Sequence, residues 1–425
     1  MLDIKFIREN PELVKEGIKN KNEKDTVNDI LELDKKRRTL LTEVEEKKAR
    51  KNKVSAEVGR LKKAGENADE IIAEMKQLAD EIKNIDDEVK NVDAELNELL
   101  MWVPNMPHSS VPVGADETSN VETKRWLPEG FSFENTEQIL DHIELGKKLN
   151  ILDFERGAKI TGSGFPVYVG KGARLERALI NYMLDYHLDK HGYIEIMPPL
   201  LVNGESMKGT GQLPKMQDDM YYAEKDGLYA IPTAEVPITN LHRSEILKEE
   251  QLPIYYTGYT PCFRREAGSY GKESKGFLRV HQFNKVEMVK FVKPETSYDE
   301  LTKLVGNVED ILKELKIPYR VIELCTGDLS FAAAKCFDVE TWSPAEKKWL
   351  EASSCSNFES FQARRAKIRF KSSENKKTEF VHTLNGSGLA TSRLMVSILE
   401  NYQTPEGKVI VPKVLQKYTG FAVID

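Results

Sequence analysis

YTGYTPCFRREAGSYGKESKGFLRVHQFNKVEMV, residues 256–289, consists of an apolar and aromatic arm, a polar loop and a second apolar arm. The first arm runs into Phe263, Gly, Ser and Lys fill the loop from Ala267 to Gly276, and the second arm starts at Phe277. This is the pattern of an antiparallel hairpin with a long connection. Ionic groups gather at both roots of the loop. Arg264 and Glu266 end the first arm, and Arg279, Phe283 and Glu287 follow along the second at intervals of four, which on an extended strand puts them on one face. Arginine forks match phosphate oxygens, an aromatic ring stacks on a base, and a carboxylate holds an ammonium or hydroxyl group. Such a face suits a nucleoside triphosphate beside a small amine. A surface hairpin with solvated charges is the other reading of the same composition.

Outward from this stretch, 425 residues predict two or three domains, and 40% hydrophobic residues are enough for a core. No run approaches the roughly 18 consecutive apolar residues of a membrane span. MLDIKFIRENPELV lacks the apolar run of a signal peptide, so a cytoplasmic protein without a membrane partner is expected. Cys262, Cys325, Cys336 and Cys355 are scattered without CxxC spacing, which argues against a Cys-rich zinc site and fits free thiols. A net charge of −7 does not favour nucleic acid, so any RNA contact has to come from a local basic surface.

Residues 1 to about 22 suggest one short amphipathic helix. From about Asp29 to Met101 the composition shifts to Lys, Glu, Leu and Ala without proline. Ile71, Met75, Leu78, Ile82, Ile85, Val89, Val92, Leu96 and Leu99 alternate steps of four and three, a coiled-coil seam. Leu33, Leu40, Val44, Val54, Val58 and Leu61 form a more broken stripe, with Ala64–Asn67 as the turn between them. The pattern predicts a long antiparallel helical hairpin projecting from a globular body. Residues 31–63 hold 12 Lys/Arg against 6 Asp/Glu, and residues 66–98 hold 3 against 12. The arms therefore attract one another, and the basic arm also suits a phosphate backbone.

WVPNMPHSSVPVGADETSN, residues 102–120, is punctuated by proline as a linker is. Thr161–Phe165 is glycine-rich but lacks P-loop spacing. Ala173–Lys190 has helical periodicity, and Gly192–Pro199 suggests a strand ending in a rigid turn. Thr233 and Glu235 place a hydroxyl and a carboxylate on one side of an extended chain, although a proline-threonine pair before a polar helix also makes a helix cap. Ser297–Leu315 has the pattern of a helix, and 319–325 and 337–342 of strands. His382–Arg393, HTLNGSGLATSR, suggests a strand, a glycine turn and a helix with Arg393 in its first turn. An arginine is unfavourable at a helix N-terminus unless an anion lies nearby.

Residues 263–287 resemble motif 2 of the class II aminoacyl-tRNA synthetases in the form carried by seryl-tRNA synthetases: F-R-x-E, a variable loop, then R-V-H-Q-F-x-K-V-E. The 102–120 linker is similar to that family's linker, Ala173–Pro199 resembles motif 1, and 382–393 resembles motif 3, with Ser392 where the family usually has proline. The likeness extends over essentially the whole chain. It implies an α+β fold: an antiparallel catalytic sheet flanked by helices, preceded by the helical hairpin. The implied domains are a tRNA-binding arm at 1–101, a linker at 102–120 and a class II catalytic domain at 121–425.

The same resemblance implies a ligase that activates L-serine with ATP and loads it onto tRNA(Ser), with tRNA(Sec) as a second candidate partner, working as a homodimer with Mg²⁺. It assigns catalysis to Arg264, Glu266 and Arg393, and serine binding to Thr233, Ala234, Glu235, Glu287 and Ser387. ATP falls to Arg264, Arg265, Glu266, Arg279, Val280, Phe283, Glu351, Ala352, Ser353, Ser354 and Arg393. Glu351 and Ser354 are the metal ligands, Phe283 stacks on adenine with Arg393 over its other face, Gly209–Lys215 is a mobile active-site loop, and Lys272, Glu273 and Lys275 touch the tRNA acceptor end. Three alternatives remain at this point: a paralogue loading a carrier protein, a non-catalytic relative, and a coiled-coil scaffold.

Overall fold

The computed structural model describes residues 1–134, 139–267, 275–374 and 376–425, which form two compact units, Met1–Pro104 and Asn105–Asp425. In the first, the pattern that predicts one helix to residue 22 forms two, α1 (Ile4–Glu9) and α2 (Pro11–Asn20). Pro11 is the cause: it disfavours helical geometry at Asn10 and suits the first position of a new helix. The hairpin is α3 (Val27–Ala64) and α4 (Asp69–Met101). Gly65 closes α3 at φ 75°, a left-handed conformation that glycine adopts without a steric penalty. Val44, Leu78 and Ile82 pack together in the seam. Lys36–Glu88, Arg37–Asp93, Lys47–Glu81, Lys48–Asp86 and Arg50–Glu74 pair basic arm with acidic arm. Each is exposed or half-buried and weak alone, but together they favour the antiparallel pairing.

The second unit is built on an eight-stranded sheet. Its strands are β1 (Val121–Trp126), β2 (Ile194–Glu195), β3 (Ile254–Phe263), β4 (Gln282–Val292), β5 (Tyr319–Glu323), β6 (Lys335–Ser343), β7 (Lys348–Asn357) and β8 (His382–Ala390). They lie in the order β1-β5-β6-β7-β8-β4-β3-β2, antiparallel except for the short β2 beside β3. One face is packed against α5 (Lys171–His191), α7 (Ser297–Glu314) and α8 (Thr391–Asn401), numbering α6 for the one-turn helix Glu235–Thr239. Leu175, Leu179, Val286, Met288, Leu304, Leu384 and Leu394 meet in this core.

Three local readings change. The second arm of the 256–289 hairpin becomes a strand only at Gln282, so Arg279 precedes it. The glycines of 382–393 lie inside β8 and make no turn. A Cβ on Gly386 would stand 2.9 Å from Cys355 Sγ, and one on Gly388 2.5 Å from His187 Nε2, so both mark close approach of core side chains to the strand. The third change concerns the proline-rich stretch, which is fastened to the second unit from Asn105 on. The Asn105 N–H donates to the Phe331 carbonyl at 3.0 Å and its side-chain amide to the Ala332 and Phe358 carbonyls at 2.9 Å.

Gly258 in β3 sits where an added Cβ would be 2.4 Å from the Ile196 carbonyl oxygen beside β2. Because that obstacle is backbone, Gly258→Ala is expected to cost about 1–3 kcal/mol, measured as a lower urea midpoint. An unchanged midpoint would mean that the β2 edge moves freely.

Candidate active site

Alternation along β4, β7 and β8 sends one set of side chains into the core and the other into a cavity of about 520 Å³ on the opposite face. This volume is typical of a small-molecule site. Phe283 and Lys285 of β4, Ser354 and Ser356 of β7, and Asn385 and Ser387 of β8 line it. Arg264, Glu266, Arg279, Val280 and Arg393 also line it, as do Thr233 and Glu235 at the head of α6.

The buried end is organised by carboxylates. Glu287 itself stands outside the lining, fully buried behind lining residues: it is ion-paired to Lys285 and accepts from the Thr233 hydroxyl at 2.8 Å and from Asn385 Nδ2 at 3.1 Å. Thr233 Oγ1 in turn accepts from the Glu235 N–H at 3.2 Å, the first N–H of α6, from the residue before its N-cap Ala234. The backbone there turns into a helix instead of running extended. Glu235 accepts from Gln362 Nε2 at 2.6 Å. Burial first, and then the Glu287 charge, push its carboxyl up to about 7.

The more exposed end is cationic. Arg264 lies over the Phe283 ring, 5.1 Å from its centre. Arg279 pairs with Glu266 at 3.2 Å. Arg393, third residue of α8, donates to the Glu351 carbonyl at 2.6 Å and to the Leu278 carbonyl at 3.2 Å. The hairpin roots are pinned by His281, whose N–H donates to the Gly164 carbonyl at 2.8 Å and whose carbonyl accepts from the Arg264 N–H at 2.9 Å.

A β-bulge explains how Glu351 and Ser354 share a wall. Val339 faces Ser353 and Glu340 faces Glu351, so β7 carries one extra residue at Ala352. Without it, residues three apart would point to opposite faces. Glu351, Ala352 and Ser354 all line the cavity, whereas Ser353 turns away and donates to the Ser387 carbonyl at 2.6 Å.

Other candidates stand outside the lining. Ala234 is buried with Ile238, Val289 and Phe291. The Arg265 guanidinium lies 5.3 Å from the centre of the Tyr221 ring. Lys275 is exposed at the loop root, and Lys272 and Glu273 lie outside the described residues. Thr210, Gly211 and Gln212 contribute to the lining. Sequence reasoning missed Lys285, Asn385 and Gln362 as site residues. Lys285 was within reach, because it stands two residues before Glu287 on the same face of a strand; Asn385 and Gln362 carry no such local signal.

The cavity thus sets Glu235, backed by Glu287, at one end and Arg264, Arg279 and Arg393 at the other, over one face of an antiparallel sheet. The family model described as the tRNA synthetase class II core domain (G, H, P, S and T) matches residues 219–402, and the seryl-tRNA synthetase N-terminal domain matches residues 1–107. Curated proteins named serine–tRNA ligase are similar along the full chain. That of Chloroherpeton thalassium is 59% identical, with 100% of both chains covered, and that of Chlorobaculum parvum is 56% identical, again with 100% of both covered. The solved seryl-tRNA synthetase of Pyrococcus horikoshii complexed with ATP has a TM-score of 0.93 at 40% identity, covering 100% of this chain and 99% of that one. The cytoplasmic serine–tRNA ligase of Naegleria fowleri with AMP has 0.89 at 32%, with the same coverage. The chain belongs to the seryl-tRNA synthetase family.

Glu235 offers a test of the site's electrostatics. Its folded value of about 7 lies above the free value of 4.5, so between these the native state holds a proton the unfolded chain has released, and stability falls as pH rises through the window. Glu235→Gln removes that fall. The ligand-free variant is expected to melt a few degrees above the wild type at pH 8, the gap closing at pH 5; a gap independent of pH would contradict the burial argument.

Proposed function

We infer that this chain, an aminoacyl-tRNA synthetase of the serine–tRNA ligase kind, joins L-serine to tRNA(Ser) in two steps within this cavity. An oxygen of the serine carboxylate attacks the α-phosphorus of ATP, and the bond to the β-phosphate breaks, releasing pyrophosphate. The terminal ribose hydroxyl of tRNA then attacks the acyl carbon of seryl-adenylate, and AMP departs. The substrates supply both nucleophiles, so the protein's work is positioning and charge stabilisation.

The observation that carries this reading is the polarity of the cavity, with Glu235 and the hydroxyls of Thr233 and Ser387 at its buried end, backed by the buried Glu287, and arginines at its exposed end. Serine fits the first: Glu287, Glu235, Thr233 and Ser387 would hold its ammonium and hydroxyl groups. Alanine would leave those groups unpaired, a penalty that reaches about 10⁴ in sites of this type. ATP fits the second. Arg264 would meet the α-phosphate, Arg279 and Arg393 the phosphate tail, Phe283 the adenine, and Glu266 would steady Arg279.

The hydroxyl and carboxylate that the bulge brings together are hard oxygen donors, few enough to leave positions for phosphates and water, and this suits Mg²⁺. Glu351 and Ser354 would hold it, and its charge would offset that of the phosphates. The basic arm of the hairpin would lie along the tRNA, with Lys272, Glu273 and Lys275 near its acceptor end. The α5–β2 surface, with Ile194 and Met197 exposed, would pair two copies in a homodimer. Among the described residues no helix is long and apolar enough to cross a membrane, and a cytoplasmic location accords with the substrates. tRNA(Sec) remains a second candidate substrate.

ATP–pyrophosphate exchange with each standard amino acid is expected to respond to serine. Exchange with another amino acid would move the chain to the carrier-loading reading, and none to a non-catalytic one. Glu287→Ala leaves Lys285 buried without its counter-charge, and serine-dependent exchange should fall about 10²–10³-fold; near-normal exchange would sink the assignment. Removing residues 29–99 should spare exchange and cut tRNA charging at least about tenfold, as the loss of several phosphate contacts requires. Unchanged charging would make the hairpin a structural arm only.

A further inference from the structure

On β4 the residue between Phe283 and Lys285 points the other way. Asn284 faces α5, where Glu176 is buried at 5% exposure. Glu176 Oε1 accepts from Asn284 Nδ2 at 2.8 Å and from the Thr391 hydroxyl. Thr391 opens α8, two residues before Arg393, and its hydroxyl also lies 3.1 Å from the Asn284 carbonyl. Asn284 Oδ1 accepts from the Tyr259 hydroxyl at 3.0 Å. One carboxylate oxygen therefore ties the core helix α5, the strand β4 and the head of α8.

The hydrogen-bond partners of this oxygen are both neutral, and burial pushes the carboxyl up to about 7. A carboxyl group placed there costs stability that an apolar side chain of similar size would not. What it supplies is geometry: its two partners are adjacent in sequence to Phe283 and two residues from Arg393, and both of these line the cavity. We propose that Glu176 is a positioning residue of the nucleotide site, setting the relation between Phe283 and Arg393 and so acting on ATP and not on serine. This rests on the assignment of that end of the cavity to ATP.

The test is serine-dependent ATP–pyrophosphate exchange by the full-length protein, with KM measured for each substrate. Glu176→Leu, losing two hydrogen bonds, is expected to raise KM for ATP about tenfold and to leave KM for serine within about twofold. Glu176→Gln keeps the accepting oxygen and should restore the wild-type KM. Thr391→Val removes one donor at constant shape and should raise KM for ATP by about threefold or more, and combining it with Glu176→Leu should add nothing further. A lower kcat with both KM values unchanged, equal rises in both, or a Gln variant as impaired as the Leu variant would overturn the proposal. If Glu176→Leu does not fold, an unchanged KM for ATP in Thr391→Val does so alone. Absence of exchange by the wild type would instead refute the ATP assignment beneath it.

Discussion

A carboxylate with no exposure to water needs its whole environment built for it, and Glu287 has that environment. Its cation, Lys285, comes from the same strand face, its hydroxyl donor, Thr233, from the turn before α6, and its amide donor, Asn385, from β8. Thr257 on β3 binds the Glu287 carbonyl at 2.9 Å. Shifting β3, β4 or β8 by one residue would exchange the faces of the strand and strand this charge. The register at the middle of the sheet and the chemistry of the cavity are therefore one constraint.

The two acids of the buried end are supported differently. Glu287 has a lysine, while Glu235 has the neutral amide of Gln362 and the neighbouring charge of Glu287. Burial and the Glu287 charge are offset only in part by Lys285 and Arg264, so the Glu235 carboxyl is pushed up to about 7. The hydrogen-bond chain continues: Gln362 Oε1 accepts from Thr383 at 2.7 Å and Gln362 Nε2 donates to the Thr210 carbonyl at 3.1 Å. The wall formed by 210–212 is thereby joined to the same acid.

Much of this was legible in the residues. The 4-3 spacing from Ile71 to Leu99 reads as a helical seam, and the arms of 256–289 read as strands because polar turn formers separate two apolar runs, although the second becomes one only at Gln282. The unreadable features were those that depend on distant segments or on a single irregularity. Gln362 reaches Glu235 across 127 positions. Glu351 and Ser354, three apart, look destined for opposite faces until the bulge at Ala352 brings both to the cavity. The glycines of β8 look like a turn because nothing local reveals that His187 and Cys355 press on that strand. The wider likeness to a family supplied roles for Glu235, Ser353 and Ser354, and none for Gln362.

The paired arms of the hairpin have a consequence for approach to any polyanion. Acidic groups outnumber basic ones over the two arms together, yet each arm carries an excess of one sign, basic on α3 and acidic on α4. Helices in contact lie about 8–10 Å apart, close to the screening length of about 8 Å at physiological salt. Lys36, Arg37, Lys47, Lys48 and Arg50 are paired across the arms, so a phosphate chain beside the basic edge would meet chiefly the excess positive charge left on α3. The rod thus has a transverse polarity: rotated about its long axis it changes from attractive to repulsive, so its roll angle, and not its total charge, governs what can lie against it.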